Sequence, residues 1–317
     1  MEYVYLVLSL AAIIFGATLL TDGSVALAAR FKVSEFVVGL TIVAIGTSMP
    51  EFVVSFLSAL SGSGEMAIGN VVGSNIFNVY AILGVCAVAA PVLFTRSNLR
   101  SDIPVCILAS VALFGVTVCD NVIARWEGAL LLLFYVLMLI YSIRQGKKQG
   151  ADVAQQDGAE EAQGAKPMPV WRIPVWILGG LALLIYGGQL CVDSATQIAR
   201  SLGVSEATIA ITLIAGGTSL PELAASLAAA AKKNTQMALG NVIGSNIFNL
   251  SLILGTASQI TPLTSSGITF IDYAVMIFAA IVPLVLGIKG KLNRLAGAFM
   301  FLCFVAYNIY LISSQMG

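Results

Sequence analysis

Two related strings, GTSMPE and GTSLPE, hold the residues of this sequence best suited to chemistry. Each string ends in a carboxylate that directly follows a proline, Glu51 in the first copy and Glu222 in the second. Hydroxyl side chains stand about one helical turn earlier, at Thr47, Ser48, Thr218 and Ser219. Carboxylate, hydroxyl and carbonyl oxygens are the ligands that hard cations such as Ca²⁺, Mg²⁺ or the alkali ions prefer. The strings therefore predict a cation site.

The prolines Pro50 and Pro221 predict a break in each helix that carries these strings. Proline has no N–H to donate and its ring collides with the preceding turn, so the helix kinks or ends there and leaves carbonyl oxygens without partners. Inside a membrane such carbonyls persist only where protein, water or an ion satisfies them. They can therefore add oxygen ligands beside each carboxylate.

A second pair of strings, GNVVGSNIFN and GNVIGSNIFN, supplies neutral oxygens and small residues. Their polar residues are Asn70, Ser74, Asn75 and Asn78 in the first copy and Asn241, Ser245, Asn246 and Asn249 in the second. The serine and the last asparagine are four residues apart and share one helix face. The middle asparagine points about 100° away from the serine, so we expect it to hydrogen-bond a neighbouring helix. For Asn70 and Asn241, helix packing and a place along the ion path stay equally open. The glycines Gly69, Gly73, Gly240 and Gly244 predict close helix approach.

The composition places these strings in a membrane. Of 317 residues, 58% are hydrophobic and 10% are charged, against about a quarter charged in a soluble chain. The sequence has no histidine, which excludes Ser-His-Asp and Cys-His nucleophiles and imidazole metal sites. The 16 basic and 16 acidic residues balance, which argues against a nucleic-acid partner. No cofactor and no obligatory protein partner is evident, and the lipid bilayer is the expected surrounding.

Ten apolar stretches have the length of a membrane-spanning helix. They cover residues 3–28, 36–60, 66–91, 103–120, 126–144, 174–200, 205–231, 236–260, 270–288 and 295–314. Between the fifth and sixth stretches lies a segment rich in Gln, Gly, Ala and charge, which predicts a linker over 144–172. The chain is thereby divided into a first five-helix repeat over 1–143 and a second over 173–317.

The basic residues predict the orientation in the membrane. Fourteen of the 16 Lys and Arg fall on one side of the ten-span arrangement, and Arg125 and Arg200 fall on the other. The positive-inside rule places the first side in the cytoplasm. We therefore expect a multi-pass protein of the cell membrane, plasma or inner, with both termini outside and the 144–172 linker in the cytoplasm.

An internal repeat joins the two halves. Residues 41–78 align with residues 212–249 at an offset of 171, and about half of the aligned positions are identical. Because each half holds an odd number of spans, the second copy enters the bilayer from the opposite side. Inverted repeats of this kind build many secondary transporters, whose site lies near the midplane. The predicted fold is an all-α integral membrane protein of ten helices in two inverted five-helix repeats, with helices 2 and 7 broken at proline near the midplane.

Charge narrows the chemistry further. An ionisable side chain at this depth costs at least about 2.5 kcal/mol on insertion scales, and no basic residue of the spans is placed to offset it. The charge of two carboxylates is balanced by one divalent ion or by two monovalent ions. If the two kinds of ion exclude each other from one site, the protein works as an antiporter. Two neutral glutamic acids hydrogen-bonded within the bundle are the alternative. Mg²⁺ fits less well than Ca²⁺ because it gives up water reluctantly.

The paired GTSxPE and GSNxxN strings in two five-helix halves resemble the alpha repeats of the cation/Ca²⁺ exchanger superfamily, and in particular its prokaryotic Na⁺/Ca²⁺ exchanger-like members. The resemblance implies an antiporter, not an enzyme, that exchanges Ca²⁺ for Na⁺ by alternating access at one shared midplane site. It also implies a diamond of four sites around the two glutamates, with one calcium site flanked by sodium sites. Both ions are transported substrates.

Carried over by position, the resemblance implies the following ligands. The calcium ligands are Glu51, Glu222 and the carbonyls of Thr47 and Thr218. The sodium ligands come from Ala44, Ser48, Ser74, Ala215, Ser219 and Ser245, and Asn78 and Asn249 line the centre.

Four alternatives are weighed against this function. Some relatives, including those that cotransport K⁺, carry a carboxylate at the place of Asn78, Val79 or Asn249, and this chain has none there, which disfavours K⁺ dependence. Exchange of Ca²⁺ for protons is the alternative function. A cation channel is disfavoured because one chain with pseudo-twofold symmetry offers no pore ring. An intramembrane enzyme is disfavoured by the absence of histidine.

Overall fold

The computed structural model describes residues 1–156, 168–202 and 215–316. Within them the chain is helical apart from four very short strands. The helices of the first half are α1 (Glu2–Phe31), α2 (Glu35–Val38), α3 (Ala44–Thr47), α4 (Met49–Leu60), α5 (Gly64–Phe77), α6 (Gly84–Ala89), α7 (Ile103–Asp120) and α8 (Arg125–Gln156). Those of the second half are α9 (Arg172–Ser201), α10 (Ala215–Gly217), α11 (Leu220–Ala231), α12 (Thr235–Ile247), α13 (Leu254–Ile260), α14 (Phe270–Gly287) and α15 (Arg294–Met316).

Wider π-helical turns join several of these helices. They are Gly39–Val43, Asn78–Leu83, Asn98–Asp102 and Phe248–Ile253. The turns at Asn78–Leu83 and Phe248–Ile253 follow the two GSNIF strings at nearly equivalent positions. A π turn shifts the direction of the side chains that follow it and is frequent at functional sites. In both halves the turn contains the last asparagine of the second string, Asn78 or Asn249.

The described helices include many of membrane-spanning length. By length and apolar composition eight of them can cross a membrane, and Glu35–Thr47 with Met49–Leu60, bent by 49°, makes a ninth if counted as one span. The apolar helix Leu220–Ala231 is shorter, and residues 203–214 of the seventh predicted span lie outside the described residues. The all-helical membrane architecture is thus confirmed, and the count of ten spans stays a prediction.

Burial separates central helices from peripheral ones. In the most apolar 18-residue stretch of Thr235–Ile260, 94% of the residues are buried. In the corresponding stretch of Gly64–Ala89, 78% are buried. The corresponding share for Arg294–Ser313 is only 11%. Apolar side chains on the peripheral helices are exposed because lipid, not water, is the expected solvent for them. The helices with the GSNIF strings are therefore the centre of the bundle.

Glycines allow the closest helix contacts. Helices α1 and α9 touch at Gly16 and Gly180, where a Cβ on Gly16 would lie 2.9 Å from the carbonyl oxygen of Gly180. A Cβ on Gly244 would collide with the carbonyl oxygen of Leu40, so α12 packs directly on the π turn before α3. Gly240 meets the carbonyl oxygen of Phe36 in the same way. The close approach predicted for Gly240 and Gly244 is confirmed. Among the described residues, a Cβ on Gly69 would lie 3.4 Å from Ile268 Cδ1 and a Cβ on Gly73 would meet nothing within 4 Å, so the close approach predicted for these two is not seen there.

Two small antiparallel strand pairs connect the halves at opposite ends of the bundle. Strand β1 (Val92–Leu93) pairs with β4 (Lys291–Leu292), and β2 (Val122–Ile123) pairs with β3 (Leu263–Thr264). Helix α7 runs from the first pair to the second, so the two pairs mark two faces, named here the β1–β4 face and the β2–β3 face. An offset of 171 residues relates β1 to β3, so each pair is the counterpart of the other with the halves exchanged.

The first residues of the predicted 144–172 linker are helical. Helix α8 continues through Gln156, although the fifth apolar stretch ends at residue 144, and α9 begins at Arg172. Gln, Lys and Ala favour helix without requiring lipid or a packed core, which explains the extension. Residues 157–167 lie outside the described residues.

The packing of α1 on α9 predicts a difference between adjacent glycines. A Cβ on Gly180 would lie 2.7 Å from the backbone nitrogen of Leu20, whereas a Cβ on Gly179 meets nothing within 4 Å. We expect Gly180→Ala to lower the melting temperature, since overpacking costs about 1–3 kcal/mol. Gly179→Ala, the matched control, should be neutral or stabilising by up to about 1 kcal/mol because alanine favours helix. Thermal unfolding in detergent measures both, and equal effects would contradict this interface.

Candidate ion-binding site

The two carboxylates of the repeated strings lie together in the centre of the protein. Glu51 and Glu222 stand in the first turns of α4 and α11, and each is only 1% exposed. They are near enough to repel each other. The positive end of each helix dipole partly offsets a negative charge at this position. Neither carboxylate forms an ion pair with a described Lys or Arg, so the repulsion is not relieved by a basic side chain.

Each carboxylate is held by a serine of the other half. Ser219 donates a hydrogen bond to Glu51 Oε1 at 2.6 Å, and Ser48 donates one to Glu222 Oε1 at 2.7 Å. Thr218 lies beside the Glu51 carboxylate and Thr47 beside that of Glu222. The contacts are therefore reciprocal, and the two repeated strings form a single site.

The helix interruptions make these crossed contacts possible. Helix α3 ends at Thr47 and α4 begins at Met49, with Ser48 between them, and α11 likewise follows Ser219. Pro50 and Pro221 occupy the first turn of the new helix, where the missing N–H costs nothing. A serine at this position ordinarily caps its own helix, but neither Ser48 nor Ser219 does so. Both hydroxyls are instead directed at the carboxylate of the opposite half.

Asparagines of the second strings fix the backbone at both carboxylates. Asn70 donates to the carbonyl oxygen of Glu51 at 3.2 Å and to Ser55 Oγ at 3.0 Å. Asn241 makes the equivalent bonds to the Glu222 carbonyl oxygen at 3.4 Å and to Ser226 Oγ at 2.8 Å. Of the two roles left open for Asn70 and Asn241, these hydrogen bonds show the first, since each asparagine joins its helix to the neighbouring helix that carries the glutamate. Ser55 and Ser226 were not singled out from the sequence, although they are identical in the two copies and lie one turn after each glutamate.

The remaining central residues form a second, less symmetric set of contacts. Asn78 Nδ2 donates to Asn246 Oδ1 at 3.0 Å, and Asn246 Nδ2 donates to the carbonyl oxygen of Asn75 at 3.3 Å. The hydroxyls of Ser48 and Ser245 are 2.9 Å apart. Asn246 therefore links two central helices as expected. Its direct bond to Asn78 was not predicted, because the helical spacing alone places these two asparagines on different faces.

Several buried oxygens have no hydrogen-bond partner among the described residues. Within the repeated strings they are Glu51 Oε2, Glu222 Oε2, Asn75 Oδ1, Asn78 Oδ1 and Asn249 Oδ1, and the amide nitrogens of Asn75 and Asn249 also lack a partner. A buried polar atom left without a partner costs about 1–3 kcal/mol, and a charged one costs more. Five of these seven atoms are oxygens, and two of the five belong to carboxylates. This donor set fits a hard cation, which would satisfy the free oxygens and separate the two negative charges.

The structure places the other predicted ligands around this centre. Thr47 is fully buried, and its hydroxyl donates to Asn241 Oδ1 at 3.3 Å. The carbonyl oxygen of Ala44 accepts the backbone N–H of Ser48 at 3.0 Å and lies 3.5 Å from the Thr47 hydroxyl oxygen. Ser74 is buried one turn before Asn78, and Ala215 begins α10. The part of the chain that the structure describes has no cluster of three or more His, Cys, Asp or Glu, so its site holds a pair of carboxylates.

A cavity of about 570 Å³ adjoins the site. Its described lining comes from α4, α9, and the region where α11 begins: Met49, Pro50, Val53, Val54, Ile185, Gly188, Gln189, Val192, Asp193, Gly217, Thr218 and Pro221. Pro50, Thr218 and Pro221 are the lining residues next to the carboxylates. The carboxylates themselves remain closed off, as their 1% exposure shows.

Helices of membrane-spanning length around a buried set of carboxylate and amide oxygens define a membrane transport protein. The family model described as sodium/calcium exchanger protein matches residues 1–144 and 172–313. The chain belongs to the sodium/calcium exchanger family, whose members are transporters and not enzymes.

Individual relatives are similar to this protein along almost the whole chain. The putative antiporter CaxA of Alkalimonas amylolytica is 37% identical over 98% of both chains. The sodium/calcium exchanger MaX1 of Methanosarcina acetivorans is 29% identical over 98% of both chains. A solved structure of the sodium-calcium exchanger NCX_Mj superposes with a TM-score of 0.82 at 31% identity, covering 99% of this chain and 98% of that one. The resemblance to Na⁺/Ca²⁺ exchangers that the repeated strings indicated is confirmed.

The crossed serine contacts predict a specific energetic coupling. Ser48→Ala should destabilise the protein by about 0.5–2 kcal/mol because Glu222 loses its donor. In a Glu222→Gln background, which removes the charge, the same change should cost less. A double-mutant cycle of thermal stability in cation-free buffer measures this coupling. Ser48→Ala with Glu51→Gln is the matched control, and stronger coupling in that pair would contradict the crossed arrangement.

Proposed function

We propose that the protein is a secondary antiporter that exchanges Ca²⁺ for Na⁺ by alternating access at one site shared by its two halves. The observation that carries this proposal is the reciprocal serine–glutamate pair, which leaves one carboxylate oxygen of each half free in the buried centre. Family membership and the printed names of MaX1 and NCX_Mj as sodium/calcium exchangers support the choice of ions.

The charge of the site supports exchange over one-way transport. Two carboxylates are neutralised by one Ca²⁺ or by two Na⁺, so loading one ion type removes the charge that attracts the other. The proposed ligands are all oxygens and the chain has no histidine, which favours Ca²⁺ and Na⁺ over zinc or copper. Competition for the same two carboxylates couples the two fluxes.

The proposed ligands follow the positions that the sequence indicated. Ca²⁺ is bound by Glu51, Glu222 and the carbonyls of Thr47 and Thr218. Na⁺ is bound at the flanks by Ala44, Ser48, Ser74, Ala215, Ser219 and Ser245, and Asn78 and Asn249 line the centre. The free oxygens of Glu51, Glu222, Asn78 and Asn249 support this assignment, because they are buried and lack partners among the described residues.

The proposed architecture is ten helices in two inverted five-helix repeats, 1–143 and 173–317, joined by the 144–172 linker and broken at Pro50 and Pro221. The strand pairs and the crossed Ser–Glu bonds support it, since each has a counterpart in which the halves are exchanged. The β1–β4 face is the cytoplasmic one by the positive-inside rule, because Arg96, Lys289 and Lys291 lie beside its strands. The β2–β3 face and both termini are then outside.

Flux measurements test this proposal. Uptake of ⁴⁵Ca²⁺ into proteoliposomes loaded with Na⁺ should require the outward Na⁺ gradient. Glu51→Gln and Glu222→Gln should each reduce uptake to the level of empty vesicles, since a neutral amide cannot balance the cation. Glu65→Gln, which changes an exposed glutamate bonded to Ser266, should transport like the wild type.

Two outcomes would contradict the proposal. Uptake that survives in both site variants would exclude Glu51 and Glu222 as the shared ligands. Uptake driven by a pH gradient with no Na⁺ present would replace Na⁺ with protons as the coupling ion.

A further inference from the structure

The repeat pairs two aspartates whose surroundings differ sharply. Asp22 on α1 and Asp193 on α9 are related by the same offset of 171 residues as the site glutamates. Asp22 forms an ion pair with Lys232 at the end of α11, with Oδ1 2.5 Å from Nζ. Helix α1 packs against α11 along this side. Near the β1–β4 face the aspartate is therefore paired with a base, and α1 and α11 are in contact there.

The equivalent position on the other side is open and has no basic partner. The residue that corresponds to Lys232 is Ser61, which carries no charge. The helices that correspond to α1 and α11 are α9 and α4, and the 570 Å³ cavity lies between them. Asp193 lines this cavity, is exposed, and has no ion pair or hydrogen bond with another described residue.

The cavity connects the β2–β3 face with the neighbourhood of the site. Gly23 of α1 packs on Ile177 and Gly187 of α9 packs on Ile13, so the two helices are antiparallel. The C-terminal end of α9 lies accordingly at the β2–β3 face, away from the Asp22–Lys232 pair. Asp193 is near that end, whereas Pro50, Thr218 and Pro221 form the inner wall beside Glu51 and Glu222.

Asp193 is the charged group of the described cavity lining. The other lining residues are apolar or uncharged, with Gln189 as the nearest polar neighbour on α9. A low-dielectric wall around a single sign of charge focuses the field and raises the local concentration of counter-ions. A carboxylate here therefore attracts cations and repels anions.

We propose that Asp193 is the residue that draws Na⁺ and Ca²⁺ into this cavity before they reach the glutamates. This inference rests on the proposed exchange function and assigns Asp193 a positioning role, not a ligand role in the central site. Its counterpart Asp22 lacks this role in the conformation described, because Lys232 cancels its charge.

The proposal makes a quantitative statement about ion valence. Local enrichment of an ion depends exponentially on its charge, so the factor for a divalent ion is the square of that for a monovalent ion. A single charge about 6 Å from the ion path in a water-filled mouth enriches Na⁺ about two- to threefold, and hence Ca²⁺ about four- to tenfold. Removal of Asp193 should raise the KM for each ion by these factors and leave kcat nearly unchanged.

The experiment compares Asp193→Asn with Asp120→Asn in the full-length protein. Asp120 is an exposed aspartate on the same face whose Oδ1 accepts the Val122 N–H at 3.1 Å, a bond that asparagine can keep. Exchange is measured in intact cells, which present the β2–β3 face, and in inverted vesicles, which present the β1–β4 face. The KM increase should appear for Asp193→Asn in cells only, and Asp193→Glu should restore the wild-type value.

Salt supplies a second readout that a structural defect would not change. Added choline chloride screens the Asp193 field, so the KM of the wild type should rise with ionic strength until it meets that of Asp193→Asn. Unchanged KM values in Asp193→Asn, equal factors for Na⁺ and Ca²⁺, or a fall in kcat alone would each overturn the proposal. Absence of Na⁺-dependent exchange in the wild type would instead refute the proposed function.

Discussion

Two carboxylates buried side by side without a basic partner are the constraint on which this structure depends. Each ionised group costs at least about 2.5 kcal/mol at membrane depth, and their mutual repulsion adds to that cost. Glu51 and Glu222 are only 1% exposed, so water does not relieve it. The protein supplies one serine donor and one helix N-terminus to each carboxylate, and in the proposed mechanism a cation completes the neutralisation. The stability of the folded protein and its proposed ion binding therefore depend on the same two carboxylates.

The surrounding helices fix the positions of the two carboxylates but leave their hydrogen bonding incomplete. The interruptions at Ser48 and Ser219 let each half provide the donor for the other, and Asn70 and Asn241 fix the backbone behind each carboxylate. One oxygen of each carboxylate stays free for an ion. The halves differ in the routes that lead to the centre. One side has a cavity lined by Asp193, and on the other side Asp22 is paired with Lys232. The proposed alternating access requires a difference of this kind between the two sides.

The sequence predicted the parts that rest on local pattern or on repetition. Apolar length gave the helices, and identity between the copies indicated Glu51, Glu222 and the serines that hold them. The crossing of the serine contacts and the Asn78–Asn246 bond could not be predicted, because they depend on how the two halves pack in three dimensions. The extension of α8 to Gln156 was missed because apolar length predicts the spanning part of a helix and not its polar continuation. The ion pair of Asp22 could not be predicted either, because its partner Lys232 is 210 residues away in sequence.

Equilibrium binding tests the central claim most directly, without relying on transport. Purified protein in detergent should bind one ⁴⁵Ca²⁺ per chain, and Na⁺ should displace it completely with a Hill coefficient of about 2 or more. That result is expected if both ions need the same two carboxylates. Simultaneous binding of Ca²⁺ and saturating Na⁺, with neither lowering the affinity of the other, would contradict a shared site.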